Sequence, residues 1–363
     1  PVHLNVAFDE PLTPQQPTPG AYEPLDNPGP RLTHHRGAPR PTLIDVDPPT
    51  VVVAGDGSGN EAAEFAQQAN LPLLAEPSSG ARSTKVAIPA YRHVLPDLAS
   101  HVAQVIVFGR PTLSREVSHL LAHAPQVRVV ATDSEWVDQS GNADEILGSP
   151  RAEPGPQGWL ETWQEAGRNA HASLPQTLAS RVVHHALSPG QPPTLLGSSM
   201  AIRYADLHAP VGEGFTTSPV YASRGLAGID GTISTASGIA LATGSLRAIV
   251  GDLTFLHDVG GLFLGPEEEL PEVDIVVLND NGGGIFSTVE HGQEMYRATF
   301  ERFFATPVNL GVEEIARACG YDYVQVTSLE HVQEVFSPTV SGRRIVDVTL
   351  RKVSATFQVN DVN

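Results

Sequence analysis

The stretch from Gly251 to Phe286 reads GDLTFLHDVGGLFLGPEEELPEVDIVVLNDNGGGIF. It follows the apolar run Leu246, Ala248, Ile249 and Val250. Such continuous hydrophobicity marks a strand buried on both faces of a parallel sheet. Gly251-Asp252 ends that strand, and Thr254 to Leu264 reads as a short packed helix. Asp274 to Leu278 is a second buried strand, broken by Asn279-Asp280-Asn281-Gly282-Gly283-Gly284. The unit therefore sets oxygen-bearing residues at the carboxyl ends of two parallel strands, the edge where ligands bind in open α/β sheets. If the strands are neighbours, Asp252 and Asp280 meet. Mg2+ usually takes one or two carboxylates, some waters and the phosphates of its partner; Asp252 with Asp280, or with Asn279, would supply its side-chain oxygens. The glycines let backbone groups approach such a ligand closely. Ordinary strand-end turns also favour Asp and Asn, but two of them after successive buried strands form a more specific pattern.

The same alternation runs outward in both directions. Toward the N-terminus, Thr50 to Ala54 reads as a strand, Gly55-Asp56-Gly57-Ser58-Gly59 as a turn and Glu61 to Ala69 as a helix. This turn imitates both a metal motif and a dinucleotide loop. As the first it lacks an Asn turn, with Arg82-Ser83-Thr84-Lys85 at that spacing. As the second it lacks G-x-G-x-x-G. It reads as a structural strand-to-helix turn. Strands at Leu71–Leu74, Gln104–Phe108 and Val127–Ala131, with helices at Val94–Ala103 and Leu113–Ala122, complete a parallel doubly wound unit. Arg82, Lys85 and Arg110 read there as surface charge, an anion site being the alternative. The Pro- and Gly-rich Ser149–Gly158 is the expected boundary, followed by helices at Trp159–Asn169 and Leu174–Leu187.

Beyond it, strands at Thr194–Leu196, Tyr323–Val326 and Arg344–Leu350 and helices at Thr232–Thr243, Val312–Cys319 and Leu329–Phe336 extend the central motif. The fold class is α/β, with two doubly wound parallel-sheet domains. The division is 1–47 for the end of an upstream domain and a linker, 48–150 for a central domain and 151–363 for the domain of the motif. Pro1 to Phe8 alternates like a strand, and Asp9 to Asp47 reads as a linker.

Among 363 residues, 41 acidic against 22 basic give a net charge of −19, which argues against nucleic acid or an anionic membrane surface as partner. No apolar run is long enough to span a bilayer. The single cysteine, Cys319, excludes an internal disulfide and fits a cytoplasmic location; it reads as core. His291 and His331 have no metal-ligand spacing and read as surface residues.

From Gly-Asp to the Asn turn, the central stretch resembles the diphosphate-binding motif of thiamine-diphosphate enzymes. The NDNGGGIF ending resembles one branch, the 2-succinyl-5-enolpyruvyl-6-hydroxy-3-cyclohexene-1-carboxylate synthase (MenD) family. Two other segments share the resemblance: Gly197-Ser198-Ser199 with Arg203, where Ser198 replaces an Asn, and Pro219 to Gly231 (PVYASRGLAGIDG). The family's metal-binding Asn corresponds to Asp280 here, which keeps an anionic oxygen.

The resemblance implies thiamine diphosphate and Mg2+ as cofactors. Ser198, Ile229, Gly251, Asp252, Leu253, Thr254 and Asn281 would hold the first, and Asp252, Asp280 and Gly282 the second. Ser199, Arg203 and Arg224 would face the substrate, with Ile285 and Phe286 walling the reacting carbon. The implied reaction decarboxylates 2-oxoglutarate and adds the succinyl carbanion to isochorismate, a step toward menaquinone. The family's activating Glu sits in an N-terminal pyrimidine-binding domain that nothing here matches. The chain is therefore expected to be a fragment, inactive alone, of a homodimer or homotetramer. The alternatives are another thiamine-diphosphate 2-oxoacid decarboxylase or synthase, and a non-catalytic nucleotide-binding module built on Gly55–Gly59.

Overall fold

The computed structural model describes residues 41–131, 137–309, 311–336 and 339–350. The strand expected over residues 1–8 and the linker as far as residue 40 lie outside these. Along the first half run β1 (Thr42–Leu43), β2 (Thr50–Ala54), α1 (Gly59–Gln68), β3 (Leu73–Ala75), α2 (Tyr91–Leu98), β4 (Gln104–Phe108), α3 (Arg115–His123), β5 (Gln126–Val130), β6 (Glu145–Leu147), β7 (Pro150–Arg151) and α4 (Trp159–Ser173). Then come α5 (Leu178–Ala186), β8 (Thr194–Leu196), α6 (Met200–His208), β9 (Val220–Ala222), α7 (Thr232–Thr243), β10 (Leu246–Gly251), α8 (Asp252–His257), β11 (Val273–Asn279), α9 (Arg297–Phe300), α10 (Val312–Ala318), β12 (Asp322–Val326), α11 (Leu329–Val335) and β13 (Arg343–Thr349).

Two parallel sheets result, ordered β3-β2-β4-β5-β6 and β12-β13-β11-β10-β8-β9. Counted within its own sheet, each begins with the strand order 2-1-3-4, which is a doubly wound topology with a switch point between the first and third strands. In the first sheet that switch point lies between β2 and β4, and the chain itself fills it. Asp56 and Arg110 form an antiparallel bridge across the two strand ends. A Cβ on Gly55 would fall on the backbone of Arg110 and Pro111. The start of the Gly55–Gly59 turn is thus used for packing against the end of β4.

Three expectations change. The segment read as the end of a linker is structural: β1 pairs with β7, and Ile44 and Val46 are buried in the first core. That core continues through Ala152 and Leu160 to Trp163, so the division expected at residue 150 falls inside its packing. Arg82, read as surface charge, is 1 % exposed. Its guanidinium donates to the carbonyls of Ala75 (2.9 Å), Asp206 (2.8 Å) and Pro210 (3.3 Å) and pairs with the Asp206 carboxylate at 3.7 Å. Asp206, fully buried on α6, also accepts from the Tyr91 hydroxyl at 2.7 Å.

Burial disfavours both charges of this pair; their attraction and the surrounding hydrogen bonds offset that cost. Replacing Asp206 with Asn leaves a buried guanidinium without its counterion. We expect a loss of about 3–5 kcal/mol in urea unfolding, and a smaller loss in the Arg82→Met/Asp206→Leu double variant. Equal losses would show that the pair is not coupled.

Glu76 gives a second expectation. It is 2 % exposed, accepts from the Leu113 amide at 2.8 Å, and burial pushes its carboxyl up to about 8. Between the ordinary glutamate value and 8 the folded chain keeps a proton that the unfolded chain has released. This group's contribution to stability is therefore complete at low pH and is lost as pH rises through 8. Glu76→Gln should remove that decline, on the order of a few kcal/mol at pH 9. Parallel stability–pH curves for the two proteins would contradict it.

Candidate active site

In the second sheet the switch point between β8 and β10 is open. β10 and β11 run side by side with Gly251 opposite Leu278, which sets Asp252 and Asp280 at neighbouring strand ends. The Gly197-Ser198-Ser199 turn follows β8 on the other side. Among the described residues these three turns surround a cavity of about 280 Å³, closed by Arg203 and Tyr204 of α6 and by Ile229, Ile285 and Phe286. Every site residue expected from the sequence lines it except Arg224 and Asn281.

Asp252 opens α8, next to the extended Gly251. One carboxylate oxygen accepts from the Leu253 amide and the other from the Gly282 amide, both at 2.7 Å. Burial raises its pKa and these backbone bonds oppose the rise. Asp280 has fewer such bonds. Burial, with the Asp252 charge added, pushes it up to about 7. The two carboxyls thus share one recess, where burial and their mutual repulsion disfavour a second negative charge.

Gly282 adopts φ +142°, and a Cβ there would meet the Ala305 carbonyl. The Gly283 amide donates to the same carbonyl at 2.6 Å. Only glycine lets the turn lie so close to this segment. Asn279 turns away: its amide donates to Asp347 at 3.1 Å and its oxygen accepts from the Asn281 amide at 3.2 Å. Asp280 rather than Asn279 therefore faces the cavity. Asn281, in the left-handed region at φ 60°, shapes the turn without lining the cavity.

The donor set fits a divalent cation holding an anionic phosphate. Among the described residues no cluster of three or more His, Cys, Asp or Glu could hold a metal. Two carboxylates and a carbonyl from the glycine turn would leave the other positions to phosphate oxygens and water, as hard Mg2+ prefers. Ile229, Leu253, Leu278, Ile285 and Phe286 give the rest of the cavity apolar walls for a ring system.

Ser199 caps α6, accepting from the Ala201 amide at 3.2 Å, and Ser198 donates to the Ser223 carbonyl at 3.1 Å. Arg203 extends from α6 into the cavity and makes no hydrogen bond or ion pair among the described residues. Burial lowers its pKa, and Arg92, Arg115 and Arg224 add to the effect. Arg224, expected to face the substrate, is not among the residues that line the cavity. Its Nε donates to Thr112 Oγ1 at 3.2 Å and its Nη2 to the Thr112 carbonyl at 2.9 Å.

Two further residues were not anticipated. Tyr204 lines the cavity, its phenol raised by burial and by the Asp280 charge; its position beside Arg203 was the available signal. His291, read as a surface residue, stacks on Phe304 at 4.3 Å and meets Phe286 edge-on at 5.9 Å. Aromatic residues near it in sequence, Phe286, Tyr296 and Phe304, were the clue to that cluster.

Comparison with known proteins places this geometry in context. Residues 210–348 match the family model described as "Thiamine pyrophosphate enzyme, C-terminal TPP binding domain". A 2-succinyl-5-enolpyruvyl-6-hydroxy-3-cyclohexene-1-carboxylate synthase of Renibacterium salmoninarum is 39% identical over 98% of this chain and 66% of its own length. Proteins of the same name from Kineococcus radiotolerans (39% identical, 96% of this chain and 65% of theirs) and a Nocardioides species (38%, 97% and 69%) are similar to the same extent. The chain spans about two thirds of the length of these curated relatives. With the open switch point, the paired aspartates and the glycine turn in one cavity, the chain belongs to the 2-succinyl-5-enolpyruvyl-6-hydroxy-3-cyclohexene-1-carboxylate synthase family of thiamine-diphosphate enzymes.

Proposed function

We propose that this chain forms the diphosphate-binding part of a synthase that decarboxylates 2-oxoglutarate and adds the four-carbon remainder to isochorismate, in menaquinone biosynthesis. The observation that carries the reading is Arg203, a guanidinium without a hydrogen-bonded partner among the described residues, in a largely apolar cavity that two aspartates also line. Such a group recognises a carboxylate with two parallel hydrogen bonds.

Asp252 and Asp280 would hold Mg2+, with a backbone oxygen at Gly282, and through it the diphosphate. Bound there, thiamine diphosphate supplies an electron sink for decarboxylating a 2-oxo acid. The chain's own residues orient and shield. Ile229 would pack against the bound cofactor, and Ile285 and Phe286 would exclude water from the reacting carbon. Arg203 anchors a substrate carboxylate, while Ser199 holds the start of α6 that carries it. The proposed assembly is a homodimer or homotetramer in the cytoplasm that includes a pyrimidine-binding domain. Among the described residues no helix is long and apolar enough to cross a membrane.

Calorimetric titration of Mg2+ with thiamine diphosphate tests the metal site. A proton on Asp280 competes with the cation, so apparent Mg2+ affinity should fall about tenfold per pH unit below 7 and level off above it. Asp280→Asn should flatten this profile, and Asp252→Asn should weaken binding by tenfold or more, the scale of losing one charged ligand. Binding indifferent to Mg2+ and to Asp252 would end the reading.

For the substrate side, Arg203→Ala should cut kcat/KM by roughly a hundredfold, in line with loss of a charge-assisted pair. Arg203→Lys should recover part of it, and cofactor affinity should not move. Unchanged kcat/KM in Arg203→Ala would remove this residue from the site.

A further inference from the structure

Arg224 is 6 % exposed, yet among the described residues no carboxylate holds it. Its two bonds go to neutral oxygens of one residue, Thr112, in the loop between β4 and α3 of the other sheet. The clasp is reciprocal, since the Thr112 hydroxyl also lies 3.5 Å from the Arg224 carbonyl. The next residue, Leu113, donates its amide to Glu76 at 2.8 Å. Glu76 Oε2 is buried and has no hydrogen-bond partner among the described residues, so nothing at that oxygen stabilises a full negative charge. The groups facing Glu76 are Asp206 of α6, Arg224 and Asp56 of the β2 turn, and burial outweighs the pull of Arg224. An unbroken relay thus runs from Glu76 through Leu113 and Thr112 to Arg224.

Resting on the synthase reading, we infer that Glu76 and Thr112 are positioning residues that hold Arg224 beside Arg203 without neutralising it, so that its charge adds to that of Arg203 in attracting a substrate carboxylate to the cavity. The two tasks need different chemistry. An ionised carboxylate would orient a guanidinium equally well, but it would cancel the charge that a substrate carboxylate must meet. Neutral acceptors fix the direction of the fork and leave its charge uncancelled beside Arg203. Glu76 serves the same end: uncharged, it accepts the Leu113 amide and braces the loop. Ionised, it would place a negative charge beside Arg224.

Steady-state kinetics at the relatives' full length test this. Thr112→Val keeps the backbone carbonyl but removes both uses of the hydroxyl. KM for the carboxylate substrates should rise about fivefold to tenfold, the scale of one charged hydrogen bond, with a smaller change in kcat. Thr112→Ser should restore it, and thiamine diphosphate affinity should stay constant. Glu76→Ala should raise KM likewise, and Glu76→Gln, which retains the acceptor, should not. In the wild type KM should also climb as pH passes about 8, a rise that Glu76→Gln abolishes. An unchanged KM in Thr112→Val, measured against an active wild type, refutes the relay alone. Absence of turnover dependent on thiamine diphosphate and Mg2+ in the wild type overturns the synthase reading and the relay with it.

Discussion

Arg82 and Asp206 meet where neither reaches water, and the site depends on that meeting through a single helix. α6 begins at Ser199 on the cavity and carries Arg203 into it; Asp206 lies one turn further on. A helix is stiff over one turn, at 1.5 Å per residue. Whatever fixes Asp206 therefore fixes the origin of the Arg203 side chain. Asp206 is held by Tyr91, Arg82 and Arg92, all from the first sheet's half. Two charges removed from water are a poor source of net stability, because apolar residues of similar volume often do as well. Their strength is directional: an aspartate that must satisfy three partners has one acceptable place. The first domain thus acts as the jig against which the cavity's cationic wall is set.

The two sheets share their winding and differ at the switch point. In both, the chain leaves the strand order at the carboxyl edge, where a crevice is unavoidable. In the first sheet the crevice is filled by backbone, through the Asp56 and Arg110 bridge and the close packing of Gly55. In the second it is lined by acids, glycines and apolar side chains. A glycine-rich turn after a strand is therefore not enough to mark a ligand site. At Gly55 the missing side chain makes room for protein, whereas at the β10 and β11 ends the turns leave room for something else. This distinction weakens the nucleotide-binding alternative.

The central strand–helix–strand was legible because it is local. Buried strands announce themselves by continuous hydrophobicity, and Gly251-Asp252 and the Asn279–Gly284 turn lie just beyond them. Adjacency of β10 and β11 then delivered Asp252 to Asp280 by parallel register alone. What was illegible depends on partners far away in sequence. Arg82 carries the same charge as an exposed arginine, and only Asp206, 124 residues on, makes it a buried one. The clasp that orients Arg224 likewise needs Thr112, 112 residues earlier. α4 followed a Pro- and Gly-rich stretch that reads as a boundary, but two tryptophans on one helical face bind it to the earlier core. The weak pairing of β1 with β7 leaves no pattern that two residues could show.

Four arginines near the cavity differ in how far their charge is cancelled. Arg92 is paired with Glu116 at 3.2 Å and lies near Asp206; Arg115 is paired bidentately with Glu290. Arg224 is bonded only to neutral oxygens, and Arg203 has no hydrogen-bonded partner among the described residues. Neutralisation is most complete away from the cavity and least complete on its wall. A chain with a net charge of −19 repels anions at long range. That repulsion is screened beyond about 8–10 Å in ordinary salt. Inside the cavity, low dielectric and partly buried guanidiniums prevail over it, because a charge there acts at contact distance and with little water between. On the proposed function, recognition of a carboxylate rests on the side chains whose charge the fold has declined to cancel, and their placement is decided by the first sheet as much as by the second.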